Sequence, residues 1–235
     1  MINKENILFC IVGLLAGAII GFVFANSLNQ KGQLAPTGSM PGTTAATGAL
    51  PGGHPPTGGA TGDGMVDIQA AIEKARNEPD NYDAQIKAAE MFYQIQRFEG
   101  SLEFLQRANK LKPGDYDTLV NLGNAYFDSN RYDDAEKTYI EALAIKPDEV
   151  TVRTDLGLTY VVRQPPDYDK AIKEFNTALA KDPKNAMALQ NLTIAYTKKG
   201  DAAKANETIA KLEAADSTNS ALAKLKEDIA KIPAQ

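Results

Sequence analysis

Apolar residues recur at helical spacing in paired short runs through most of the chain after residue 65. Within each run they lie three or four positions apart, the spacing that places side chains on one face of an α-helix. A short turn separates the two runs of a pair, and a proline commonly follows the second run, where a helix cannot continue. The pattern predicts helical hairpins arranged in series.

The hairpins repeat with a readable period. The first helices share the motif Leu-Gly-x-x-Tyr or a close variant at spacings of 34 and then 36 residues, at Leu122–Tyr126, Leu156–Tyr160 and Leu192–Tyr196. The second helices share alanine, aromatic, alanine and proline positions, at Ala135, Tyr139, Ala142 and Pro147, and 36 residues later at Ala171, Phe175, Ala178 and Pro183. Pro165 and Pro166 mark the insertion of two residues as a turn between helices. Such a period predicts a solenoid of stacked units.

These residues resemble the tetratricopeptide repeat, whose 34-residue helix-turn-helix pattern has Leu-Gly, Tyr, Ala, Phe and Pro at these offsets. The resemblance implies an all-α superhelical solenoid. It assigns four repeats, at 82–115, 116–149, 150–185 and 186–219. The fourth repeat departs from the pattern, since Thr193 replaces glycine and Ser217 replaces proline.

Further helices are predicted to cap the two ends of the solenoid, because its end units need a face that water tolerates. Residues 65–81 resemble the second helix of a partial repeat that ends near Pro79. Residues 220–235 place apolar side chains on one helical face with charged side chains around it.

An uninterrupted apolar run covers residues 7–25. As a helix it would be roughly 28 Å long, which matches the hydrocarbon core of a bilayer. We therefore expect a transmembrane signal-anchor, with residues 1–6 as a cytoplasmic tail and the repeats on the extracytoplasmic, periplasmic side of a bacterial inner membrane. A signal peptide cleaved at Ala25 is the alternative, and it would give a secreted protein.

Two further features belong to the N-terminal region. Gly13, Gly17 and Gly21 recur every four residues, so they could form a close-packing face for a homodimer in the membrane. Residues 26–64 are predicted to be a flexible linker, because the stretch 31–64 holds 10 of the 18 glycines and 5 of the 12 prolines. His54 within it is expected to be exposed rather than a ligand.

The amino-acid composition disfavours several classes of function. The net charge is -5, and it belongs entirely to residues 65–235, so nothing favours a nucleic-acid partner. The chain has one histidine, one cysteine and no tryptophan, so it offers few of the side chains that commonly serve catalysis or bind zinc. No glycine-rich phosphate loop or nucleophile motif accompanies them. We expect no enzyme activity, no cofactor and no metal site.

The family resemblance implies a concave groove lined by the first helices, which holds a partner peptide or protein. Carried over residue by residue, its candidate binding positions are Glu90, Tyr93, Asp117, Asn121, Asn124, Phe127, Asp128, Thr151, Asp155 and Leu158. The basic clamp with which some relatives hold a C-terminal carboxylate is not matched, since Ile86, Glu90, Thr151 and Asp155 stand at its positions. Carboxylates favour a client with basic and apolar residues, although they could instead form a solvated face.

The expected function is a non-catalytic adaptor, tethered to the membrane, that binds a client and assists complex assembly. One alternative is a scaffold that mainly self-associates. Another comes from layout, because one N-terminal span, a linker and then repeats also resemble the repeat domains of bacterial cytochrome c maturation proteins, which hold apocytochrome.

Overall fold

Ten α-helices follow one another in residues 62–233, the part of the chain that the structure, a computed structural model, describes. No strand occurs within that range, so the all-α prediction is confirmed. The helices are α1 Gly62–Asn77, α2 Tyr82–Gln94, α3 Phe98–Leu111, α4 Tyr116–Asp128, α5 Tyr132–Ile145, α6 Val150–Val162, α7 Tyr168–Lys181, α8 Ala186–Lys199, α9 Ala202–Ala215 and α10 Leu222–Ala230.

The helices pair in chain order. Each one packs against the next, and α6 also contacts α8, which in turn contacts α10. We call α2, α4, α6 and α8 the first helices and α3, α5, α7 and α9 the second helices of four hairpins. This arrangement is the helical solenoid that the sequence repeats predict, with α1 packed before the first hairpin and α10 after the last.

Side-chain caps fix where five of the helices begin. In each case an Asn or Asp side chain accepts a hydrogen bond of 2.9–3.1 Å from the backbone N–H three residues further on. The capping residues are Asn81, Asp115, Asp167, Asn185 and Asp201. Because these oxygens satisfy N–H groups that have no partner within the helix, each cap stabilises its helix start.

Glycine and aromatic residues pack against each other inside two hairpins. A Cβ added to Gly123 would lie 2.5 Å from the Tyr139 ring, and one added to Gly157 would lie 2.5 Å from the Phe175 ring. Both rings are fully buried. The missing side chain therefore lets the ring of the second helix reach the backbone of the first helix.

Two clusters of buried side chains form the core. One runs from α4 through the second to fourth hairpins to Leu222, Leu225 and Ile229 of α10. The other joins Ala75 of α1 with the first hairpin and with Leu122 and Ala125 of α4. Ala75 of α1 and three apolar residues of α10 are thus buried against the neighbouring hairpins.

The predicted membrane span 7–25, its glycine positions and the linker up to residue 61 lie outside the described residues. Among the helices of residues 62–233, none is both long and apolar enough to cross a bilayer.

Candidate functional site: the face of the first helices

The ten candidate binding residues lie on α2, α4 and α6 at different depths. Three are exposed: Glu90, Asp117 and Thr151. Five are half-buried: Tyr93, Asn121, Asn124, Phe127 and Asp128. Asp155 and Leu158 are buried, at 5% and 2% exposure. The face is therefore not a uniform solvated surface, because one of its carboxylates is inside the protein.

A cavity of about 400 Å³ lies between α2, α3 and α4. It brings together four of the candidate residues, Glu90, Tyr93, Asn121 and Asn124. The rest of its lining is Ala89, Gln94, Ser101 and Leu105. Its volume falls within the range of about 300–1,000 Å³ that is usual for ligand pockets.

The floor of this cavity includes a polar atom without a hydrogen-bond partner. Ser101 is 1% exposed, and its Oγ has no partner within the described part of the chain. A buried hydroxyl without a partner lowers stability, because it has given up its hydrogen bonds to water.

An acidic pair lies beside the cavity. Burial of the Asp155 side chain, together with the charge of Asp128, raises the pKa of Asp155 to about 7. The Tyr93 hydroxyl donates to Asp128 Oδ2, which ties the wall of the cavity to the acidic pair.

Two tyrosines, Tyr93 and Tyr139, interact electrostatically with the acidic pair Asp128 and Asp155. The Tyr139 hydroxyl donates to Asn124 Oδ1 at 2.8 Å. Burial raises the pKa of Tyr139 and Tyr93, and the charges of Asp128 and Asp155 raise them further. Both phenols are therefore neutral donors at ordinary pH, and neither can neutralise the carboxylates.

A column of equivalent positions continues along the first helices. Asn121, Asp155 and Asn191 occupy the same position in the second, third and fourth repeats. Asn191 is 1% exposed, and neither atom of its amide has a hydrogen-bond partner among the described residues. The two later members of the column are thus buried polar groups.

The remaining candidates lie apart from the cavity. The charge of Asp117 contributes to raised pKa values of Tyr82 and Tyr116, which burial raises most. The Phe127 ring packs edge-on against Tyr132, with centroids 5.6 Å apart. Leu158 belongs to the larger core cluster. These contacts use the side chains of Phe127 and Leu158 for packing.

Two residues of the cavity, both on second helix α3, were not predicted from the sequence. Ser101 and Leu105 belong to α3, whereas only first-helix positions were considered for binding. The sequence did hold a signal, since Ser101 and Leu105 stand where the second repeat has Ala135 and Tyr139. Within residues 62–233, no group of three or more His, Cys, Asp or Glu side chains could hold a metal ion.

Three models of the tetratricopeptide repeat match separate stretches of the sequence, at residues 67–116, 123–161 and 166–229. The chain is a tetratricopeptide-repeat (TPR) protein. The first match spans most of α1 and the first hairpin, the second runs from within α4 to the end of α6, and the third spans α7, the last hairpin and most of α10. TPR proteins are in general non-catalytic adaptors, and the TPR fold is consistent with a scaffold for protein–protein interaction.

Solved structures share the TPR fold at low identity. A MamA protein is 23% identical, covers 69% of this chain and 86% of its own, and has a TM-score of 0.61. MamA from Desulfovibrio magneticus RS-1 is 18% identical, with 68% and 89% coverage and a TM-score of 0.62. YrrB, described as a TPR protein with an unusual peptide-binding site, is 15% identical, with 70% and 84% coverage and a TM-score of 0.62. Among curated proteins none matches the chain.

Proposed function

We propose that this TPR protein is a non-catalytic adaptor that holds a basic and apolar segment of a partner protein on the face of its first helices. The observation that carries the proposal is the Asp155 carboxyl group, which is buried on this face under the influence of the Asp128 charge. A helix face that served only for solubility would leave its carboxylates in water.

Charge complementarity indicates the chemistry of the partner. Glu90, Asp117, Asp128 and Asp155 all lie on this face, and the Lys87 ammonium is 3.8 Å from Glu90 in an exposed ion pair. No cation is among the groups that shift the pKa of Asp155. A lysine or arginine of the partner placed beside Asp128 and Asp155 would lower the pKa of Asp155 and so favour its ionised form.

Membrane tethering is part of the same proposal and rests on the apolar run 7–25. An anchored solenoid on a linker of residues 26–64 would sample a limited volume above the bilayer, which raises its effective concentration toward membrane partners. The narrower alternative, a client delivered to cytochrome c maturation, is supported by layout alone.

Site-specific photo-cross-linking in native membranes tests the binding face. A cross-linking residue replaces exposed Gln94, at the rim of the cavity, and in a matched control it replaces exposed Lys137 on second helix α5. A partner captured from position 94 and not from position 137 supports the proposal. Capture from position 137 alone contradicts it, and capture of a second copy of the chain from position 94 would favour the self-associating scaffold.

The tether is tested separately by intact mass and alkaline extraction of membranes. We expect a full-length chain that stays with the membrane. A mature form that begins at Asn26 would refute the anchor and support secretion.

A further inference from the structure

The cavity between α2, α3 and α4 lies where the next repeat holds an aromatic ring. Shifting the second repeat back by 34 residues places Tyr139 on Leu105, Gly123 on Ala89 and Asn124 on Glu90. In the second repeat the Tyr139 ring packs against Gly123 and its hydroxyl reaches Asn124 at 2.8 Å. The first repeat has an aliphatic side chain at the ring position and an open cavity of about 400 Å³ next to it.

The third repeat follows the second. Phe175 packs against Gly157 as Tyr139 packs against Gly123, and both rings are fully buried. Two of the four repeats therefore fill this interior position with a ring from their own second helix. The first repeat follows the same pattern but has no ring at this position. The second and third repeats therefore indicate that an aromatic ring fits between a first helix and a second helix of this geometry.

The polar and apolar groups that line the cavity favour an aromatic ring with a hydroxyl group over a ring without one. Ser101 replaces the alanine found at Ala135 and Ala171, it lines the cavity, and its buried hydroxyl has no hydrogen-bond partner in the described residues. Ala89 and Leu105 give the cavity an apolar wall. A ring that carries a hydroxyl at its far end would pack on this wall and give Ser101 the partner that it lacks.

We propose that the cavity receives a tyrosine side chain of the partner, which enters between α2 and α4 and hydrogen bonds through its phenol to Ser101. This proposal rests on the proposed function and names the anchor of the bound segment. Glu90 and Gln94, both exposed, stand at the rim, so the peptide backbone beside the tyrosine runs along polar groups. A basic residue next to the tyrosine meets Glu90.

Other anchors fit less well. A phenylalanine would leave Ser101 without a partner. A lysine would bury its ammonium group in a lining whose one carboxylate, Glu90, is exposed at the rim, so the charged group would stay at the rim. An aliphatic side chain would fill less of the cavity than a ring does.

The test uses the full chain in mild detergent with small probes. N-acetyl-tyrosinamide, N-acetyl-phenylalaninamide and N-acetyl-lysinamide are titrated while the methyl NMR signals of Ala89 and Leu105 are followed. We expect the tyrosine probe to shift both signals and to bind at least about threefold more tightly than the phenylalanine probe. Equal binding of all three probes, or shifts confined to other methyl groups, would overturn the proposal.

Two variants make the test specific. Ser101→Ala, which removes the unpartnered hydroxyl and should fold, is expected to abolish the preference for tyrosine over phenylalanine. Ser129→Ala is its control, because Ser129 Oγ is also buried without a partner but does not line this cavity. Ala89→Gly combined with Leu105→Tyr rebuilds the glycine–ring pairing of the second repeat. This double variant should bind the tyrosine probe at least about tenfold more weakly. A Ser101→Ala variant that keeps the full preference refutes the proposal even if the double variant does not fold.

Failure of this inference can be told apart from failure of the proposed function. If a partner is still captured from position 94 while no aromatic probe binds, then the adaptor proposal stands and only the tyrosine anchor is wrong.

Discussion

Replacing Asp155 with asparagine should change how stability depends on pH. The substitution keeps the size and the hydrogen-bonding capacity of the side chain and removes its ability to ionise. It also restores the residue found at the equivalent positions Asn121 and Asn191, so the third repeat is expected to fold normally. The surroundings of Asp155 include Asp128, Tyr93 and Tyr139, and these groups supply no positive charge.

The size of the effect follows from the pKa of Asp155. Its ordinary value is 3.8, and in the folded protein it is about 7, because burial and then Asp128 disfavour the ionised form. The folded state thus holds the proton more tightly than the unfolded chain, and stability falls as pH rises from about 4 to about 7. Between about pH 5 and about pH 8, the linkage relation gives a loss of about 3 kcal/mol from this group alone.

Urea unfolding of the full chain in mild detergent, followed by far-UV circular dichroism across this pH range, measures the effect. Asp155→Asn should lose about 3 kcal/mol less than the unmodified chain between the two pH values, and the two proteins should converge near pH 4. Exposed Asp117→Asn is the control and should follow the unmodified chain. Parallel pH profiles for the chain and Asp155→Asn would refute the assignment of a neutral, buried Asp155.

Three further predictions concern stability and are measured by urea unfolding. Gly157→Ala should lower the free energy of unfolding by about 2 kcal/mol, since overpacking against the buried Phe175 ring outweighs the helix propensity of alanine. Adding Phe175→Leu should recover part of the lost stability. Strictly additive losses would exclude the packing explanation. Glu174→Gln should lower the free energy of unfolding by about 2 kcal/mol, because it removes the charge paired with Arg153 at 2.6 Å in a largely buried salt bridge. Glu213→Gln, in an exposed salt bridge, should cost under about 0.5 kcal/mol. Equal losses would argue against burial as the cause. Asn185→Ala should cost about 1 kcal/mol through loss of the α8 cap, while Asn185→Ser, which keeps a capping oxygen and adds no charge beside Asp182, should cost less. Equal losses from both variants would argue against the cap.

The helices of the repeats could be predicted because their signals are local. Apolar spacing within each run gives the helix face, and residues such as Asn81 and Asp115 mark helix starts by side-chain bonds that span three residues. The period then orders the hairpins, because each one packs mainly against its neighbours in the chain.

The depth of the candidate site could not be predicted in the same way. Asp155 shares a helix face with exposed Thr151, and only its three-dimensional surroundings decide that one is in solvent and the other at 5% exposure. The cavity was missed for a related reason. It needs residues from three helices, and the contrast between Leu105 and the Tyr139 ring becomes visible only when the first repeat is compared with the structure of the second.

The pairing of glycine with a buried ring limits how this chain can change by recombination. Gly123 with Tyr139 and Gly157 with Phe175 are matched in size, and the equivalent pairs Ala89 with Leu105 and Thr193 with Ile209 combine a larger first residue with a smaller second one. Exchanging a single helix between repeats would set a methyl group against a ring or leave a void beside it. Exchanging a whole hairpin carries both halves of the match, so the hairpin is the unit that can be duplicated, deleted or transplanted in this solenoid.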